Sequence, residues 1–244
     1  MGFCFEEHVD YSDSLFSGEF LKNGSEQKSK LIAVDPSLTS SGWVVFDLQS
    51  ERLLATGCIK AGPPSIPLAS RLKEFQQEVE VMFSEQLLNS GDYLISEGPA
   101  PLVKNPDSAT KVEQVRGIFE TIARSSGLRV PGRINPRSIQ SELLGLRGAQ
   151  KNRDFVKDSA RKVVSSLMGS KLSELEGVAF EQVSQDIVDA ALIGVYAISR
   201  IKRAQASGFT VEELLQPKKP SARGSNTRRG SGNRWSESDF KKRL

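Results

Sequence analysis

Four acidic residues sit in apolar surroundings where an isolated charge has little water to solvate it. Asp35 closes the run LIAVD (31–35), Glu97 closes DYLISE (92–97), and Asp186 and Asp189 interrupt QDIVDAALIG (185–194). A spacing of three puts Asp186 and Asp189 on one face if that stretch is helical. Charge in such a setting is costly unless it is paired or holds a metal. Carboxylates that converge with no histidine nearby suit Mg²⁺ or Mn²⁺, hard ions that favour oxygen ligands. Two such ions about 4 Å apart activate a water and stabilise the leaving oxygen in phosphodiester cleavage. Taken singly, each acid reads better as structure. Asp35 before Pro36 and Glu97 before Gly98-Pro99 suit turns, and Asp186 suits a helix cap. Their joint placement, on a first strand, a fourth strand and a last long helix, favours chemistry.

Composition narrows the alternatives. The single histidine, His8, lies in a polar head, which leaves His-based triads, zinc sites and acid–base chemistry without a donor. Two cysteines, Cys4 and Cys58, are too few for a disulfide scaffold and fit a reducing intracellular compartment. No apolar run approaches the ~18 residues of a membrane span, and the acidic start resembles neither a secretory nor an organellar leader.

The elements that must deliver the acids follow from periodicity. LIAVD (31–35), WVVFDL (43–48) and ERLLATGCIK (51–60) read as an antiparallel meander, with the turn-rich PSLTSSG (36–42) between the first two. Helical spacing over 68–88 precedes the strand-like 92–97. A helix over 107–126 leads to a strand at 128–134, then helices at 136–144 and 151–168. Residues 169–183 read as an insertion or loop before an apolar helix over 185–206. The order is that of an α/β domain with a mixed sheet. Residues 1–29 read as a poorly ordered acidic extension, 30–206 as one domain, and 207–244 as a basic, Gly/Ser-rich disordered tail.

The motifs DPS-x-T-x-x-G-W-x-V (35–45), ISEGP (95–99), KNPDSATKVEQVRG (104–117), GAQK (148–151) and DIVDAAL (186–192) resemble those of RuvC-like Holliday junction resolvases of the RNase H-like superfamily. TGCIK (56–60) and ASRL (69–72) are similar to that family as well. The likeness spans about 31–197, and its most specific part is the KN-x-DSA…RG block. It implies a RuvC-type mixed five-stranded sheet flanked by helices. It further implies a homodimeric endodeoxyribonuclease that nicks four-way junctions symmetrically, with Asp35, Glu97, Asp186 and Asp189 binding two Mg²⁺ (or Mn²⁺) ions per site. Lys151 would act near the scissile phosphate. The helix 107–126 would form the dimer contact through Val112, Val115 and Phe119, a face that suits core packing too. Two departures stand out. Gln140 occupies a position where the family often carries a second lysine, so that role is unfilled or passes to Arg137 or Arg147. Residues 98–103 contain no aromatic to stack on an opened base.

The net charge of +3 is a layout rather than a total. Residues 1–29 carry two basic and six acidic side chains, and 217–244 carry nine basic and two acidic. Between 104 and 162 stand 13 Lys/Arg against six Asp/Glu, as phosphate contacts require. Lys104, Asn105, Ser108, Arg116, Arg137, Arg147 and Arg153 are the expected DNA contacts, whereas Lys111, Arg124 and Arg161 read as a solvated helix face. The Arg/Gly/Ser tail with Trp235 suits loose nucleic-acid association, or equally a solubilising or targeting role. The expected location is intracellular and DNA-associated, with no membrane contact and with recombination or replication proteins as possible partners. Three rival readings follow from the same residues: a related nuclease on other branched DNA or RNA, a non-catalytic junction-binding protein, and an ATPase whose first phosphate hairpin is DPSLTSSGW. The last lacks a second Gly-containing phosphate loop.

Overall fold

The computed structural model describes residues 29–99, 105–148 and 151–215. The acidic head to residue 28, Lys104, the rest of the 100–103 segment, Ala149, Gln150 and the tail from 216 lie outside the described residues.

Three strands, β1 (Lys30–Asp35), β2 (Ser41–Asp47) and β3 (Leu53–Ile59), form the expected meander. Helix α1 (Leu68–Glu85), strand β4 (Tyr93–Glu97), helix α2 (Pro106–Ser125) and strand β5 (Arg129–Ile134) follow. Helices α3 (Pro136–Glu142), α4 (Arg153–Glu176), α5 (Gln185–Ser207) and α6 (Val211–Leu215) complete the described chain. The sheet order is β3-β2-β1-β4-β5, with β1–β2 and β2–β3 antiparallel and β1–β4 and β4–β5 parallel. A mixed five-stranded sheet flanked by helices is thus present.

Alternation along the strands divides the interior into two cores. Leu31 and Ala33, with Val44, Phe46, Tyr93 and Ile95, face α4 and α5, where Val164, Leu172, Ile187 and Ala191 bury against them. Ile32 and Val34, with Trp43, Val45 and Leu94, face α1 and α2, meeting Phe75, Val79, Val115 and Phe119. Phe75 and Phe119 stack edge to face with ring centroids 5.6 Å apart. Val115 and Phe119 therefore belong to the chain's own core, which corrects their expected use as a dimer face.

Asparagine side chains start three of the helices around the site. Asn105, Asn135 and Asn152 each accept a backbone N–H from the first turn of α2, α3 and α4, and Ser184 does the same for α5. Such caps satisfy amides that the helix itself leaves unpaired.

Two boundaries differ from expectation. Residues 169–176 are not a loop: α4 continues through a break at Met168 (φ −152°, ψ 19°) to Gly177, a left-handed cap at φ 67°. The break lies beside Gly169, a common site of helix bends, while Leu172 keeps the apolar stripe buried beyond it. A single turn at Phe180–Gln182 then leads into α5. The ordered chain also runs past 206, because α6 folds back on β5 and buries Leu215.

Candidate active site

The period of two that sorts the cores also aims the acids. Asp35 follows Leu31 and Ala33 on the α5 side of β1, and Glu97 follows Tyr93 and Ile95 on the same side of β4. The parallel register pairs Val34 with Ser96, so one further step sets Asp35 beside Glu97, with strand axes about 5 Å apart. On its other flank Asp35 pairs with Gly42 of β2. A Cβ there would lie 2.0 Å from the Asp186 carbonyl oxygen. The bare backbone at Gly42 therefore lets the first turn of α5 rest directly on the sheet and brings Asp186 and Asp189 to Asp35.

Asp35, Glu97 and Asp189 open into a cavity of about 230 Å³, lined also by Gln140 and Leu144 and by Arg153 and Lys157 of α4. Burial, then the charges of Glu97, Asp189 and Asp186, hold the Asp35 carboxyl well above the ordinary range, with Arg116 opposing. Burial, then the Asp189 charge, pushes Glu97 up to about 7, again against Arg116. Burial raises Asp189 too, and Asp186 adds to the shift. The hydrogen bond from Gln185 and the charges of Lys157 and Arg161 pull it down. All four expected acids thus act on one another, although Asp186 stands outside the cavity lining.

Among the described residues, no three carboxylates, imidazoles or thiolates close into a metal cage. Asp189 is held by Gln185 at 2.8 Å and Asp186 by the Ser184 hydroxyl at 3.3 Å. The donor chemistry still fits a hard divalent cation: every ligand is a carboxylate oxygen, and the group suffers from burial and mutual repulsion that such a cation relieves.

The cationic residues divide sharply. Arg116 is not at a DNA surface: it is 2% exposed, donates from Nε to the Glu97 carbonyl oxygen at 2.8 Å, and pairs with Glu113. It is a buried brace for the β4 end, because the strand terminates on a carbonyl that needs a donor. Glu113 and Glu120 also bind Arg133, tying α2 to β5. Arg137 is half-buried in the first turn of α3, while Arg147, Lys151 and Arg153 are exposed, as is Ser108. Of these, only Arg153 lines the cavity. Asn105 spends its side-chain oxygen on the α2 amides of Asp107 and Ser108.

Sequence reasoning missed Lys157, and it misassigned Arg161, which is no free surface cation. Arg161 donates to the Val183 and Phe180 carbonyls at 2.8 and 3.5 Å and so pins the turn that launches α5. Their signal was available: Arg153, Lys157 and Arg161 are spaced four apart, one helical face pointing the same way as the acids.

No family model matches the chain. The crossover junction endodeoxyribonuclease RuvC of Marinobacter nauticus is 28% identical over 141 residues, 57% of this chain and 73% of that protein. Its counterpart from Azorhizobium caulinodans is 28% identical over 123 residues, 50% of this chain and 70% of that protein. Among solved structures, Thermus thermophilus RuvC superposes with a TM-score of 0.52 at 17% identity, covering 72% of this chain and 96% of that one. T. thermophilus RuvC in complex with Holliday junction substrate gives 0.51 at 17% identity, covering 73% and 96%. The sequence likeness and the shared fold agree: the chain is RuvC-like, with an α/β fold of the RNase H-like type.

Proposed function

We propose that this protein is a divalent-metal-dependent endodeoxyribonuclease that resolves four-way DNA junctions. The observation that carries the reading is the cavity in which Asp35, Glu97 and Asp189 meet under a cationic helix start. The relatives named as crossover junction endodeoxyribonucleases support the substrate class.

Asp35, Glu97, Asp186 and Asp189 would hold two Mg²⁺ or Mn²⁺ ions, which when bound supply water activation and neutralise charge at the leaving oxygen. Arg116 fixes the Glu97 end of β4, so that this carboxylate faces the cavity rather than solvent. Gln185 and Ser184 orient the two α5 acids, which would hold a cation through their carboxylate oxygens. Arg153 at the mouth and Lys151 just before α4 meet the negatively charged backbone, where a helix start with unpaired amides also favours phosphate. Arg137, Arg147, Ser108, Asn105 and Lys104 extend that contact and carry position rather than sequence information. A homodimer would present two such cavities to one junction and give paired, symmetric nicks. Because Val115 and Phe119 are internal, its contact would use the outer side of α2, where Ile118 and Ile122 line a groove of about 510 Å³ with Leu72 of α1. No helix among the described residues is long and apolar enough to cross a membrane.

The test is cleavage of a synthetic four-way junction in Mg²⁺ with the product ends mapped, run beside a flap and an RNA–DNA hybrid. Wild type should cut the junction and Asp35→Asn should bind it without cutting. An Asp35→Asn variant that cuts equally well sinks the proposal. The hybrid and flap arms address the rival reading, a nuclease on other branched substrates, which the lack of an aromatic in residues 98–103 keeps open.

A further inference from the structure

We infer that Lys157 is a further catalytic residue, its ammonium placed inside the acid cavity to take up charge on the scissile phosphate. This rests on the nuclease reading above. Helix α4 carries three cations at intervals of one turn, Arg153, Lys157 and Arg161, each step advancing about 6 Å along the axis. They are not equivalent. Arg161 is committed to the Val183 and Phe180 carbonyls. Arg153 is exposed at the cavity mouth. Lys157 is half-buried and lines the cavity with Asp35, Glu97 and Asp189. Lys151, the lysine expected at the phosphate, is exposed and lies outside that lining.

Lys157 has no ion pair within 4 Å among the described residues, yet its charge is felt at Asp189. The ammonium is thus near the acids without being bonded to them. A half-buried lysine whose ammonium has no ion-pair partner is favoured where negative charge lies close by. The acids supply that charge in the free protein. With the acids engaged in holding divalent cations, a phosphodiester in the cavity would be the anionic group left for the ammonium to meet. A lysine suits this task, because its ammonium is a compact charge with three donors on a flexible stem. It can follow the phosphoryl oxygens as their charge grows, and interactions that strengthen at that point accelerate the chemical step rather than binding.

The experiment is single-turnover cleavage of a four-way junction in Mg²⁺ by Lys157→Met, Lys157→Gln and Lys157→Arg, with junction affinity measured separately in chelator. Two neutral variants are used so that a folding defect in one leaves the rate readable in the other. We expect Met and Gln to slow cleavage by about 100-fold with affinity held within about threefold, and Arg to keep at least about a tenth of the wild-type rate. Adding Gln140→Lys to Lys157→Met places an ammonium elsewhere in the lining of the same cavity and should regain about tenfold. Neutral variants that cut within about threefold of wild type overturn the inference, and so does a loss of affinity that matches the loss of rate. If wild type itself cuts no junction, the nuclease reading falls first and takes the inference with it. If wild type cuts and the variants cut alongside it, only the inference falls.

Discussion

Replacing Gly42 with alanine should separate the two halves of the acid group without altering any charge. The added Cβ would stand 2.0 Å from the Asp186 carbonyl oxygen, 2.2 Å from its carbon and 2.7 Å from the Ile187 nitrogen. Ordinary contact begins near 3.4 Å, so the start of α5 must retreat by about 1.4 Å. All three obstructing atoms are backbone, and the helix is fixed beyond them by buried Ile187, Val188, Ala190 and Ala191, so no side-chain rotation relieves the overlap. Forced overpacking of this kind destabilises by about 1–3 kcal/mol, and the rigidity here argues for the upper end. The functional effect should be larger in proportion, because a displacement of about 1 Å at reacting groups lowers rates by on the order of 100-fold. Urea unfolding followed through buried Trp43 reads the first quantity, and single-turnover junction cleavage reads the second. An alanine variant within about threefold of wild type in rate and about 0.5 kcal/mol in stability would refute the account of how α5 is positioned.

Glu97→Gln tests the electrostatics in the metal-free protein. The folded Glu97 titrates near 7 against an ordinary 4.5, so its acid form favours folding. Its contribution is complete below about 4.5 and is lost as pH rises through about 7. In chelator at pH 8 the variant should exceed wild type by about 3 kcal/mol in urea unfolding, narrowing to about 1 kcal/mol at pH 5; a difference that is flat with pH contradicts this. Arg116→Met should lower stability by about 2 kcal/mol, since it strands the Glu97 carbonyl while leaving half-exposed Glu113 to water, and Arg116→Lys should not restore it. Deleting 217–244 should weaken junction binding as salt rises, with preference for the junction over linear duplex unchanged in competition assays.

The acids were readable because each breaks an apolar run at a place where the pattern itself ends. LIAVD and YLISE are short apolar runs buried on both faces, so the sequence marks them as strands while the face taken by Asp35 and Glu97 is set by the packing of α5. The meander was equally plain, since tight turns join its three strands. Residues 169–176 were not readable as helix, because Gly169 looks like a stop until Leu172 is seen to be buried. Arg116 was beyond reach for another reason. Its neighbours Glu113 and Gln114 suit an exposed helix face, and only the tertiary approach of the β4 end encloses its guanidinium. The same holds for Val115 and Phe119, whose apolar stripe cannot say whether α1 or a second chain covers it. Lys157 and Arg161 share a spacing but not a role, and what divides them is the link into α5, where the Val183 and Phe180 carbonyls accept from Arg161.

The seating of α5 on the bare backbone of Gly42 also sets an order of events during synthesis. Two of the four acids, Asp35 and Glu97, emerge in the first hundred residues, while Asp186 and Asp189 arrive only with the last long helix. A chain still being made can already carry the cations of α4, but its acid group is half assembled. The complete acid group therefore forms late and all at once, when α5 docks across β1 and β2. A prematurely terminated product would hold only half of the group, so any chemistry that needs all four acids waits until the chain is whole.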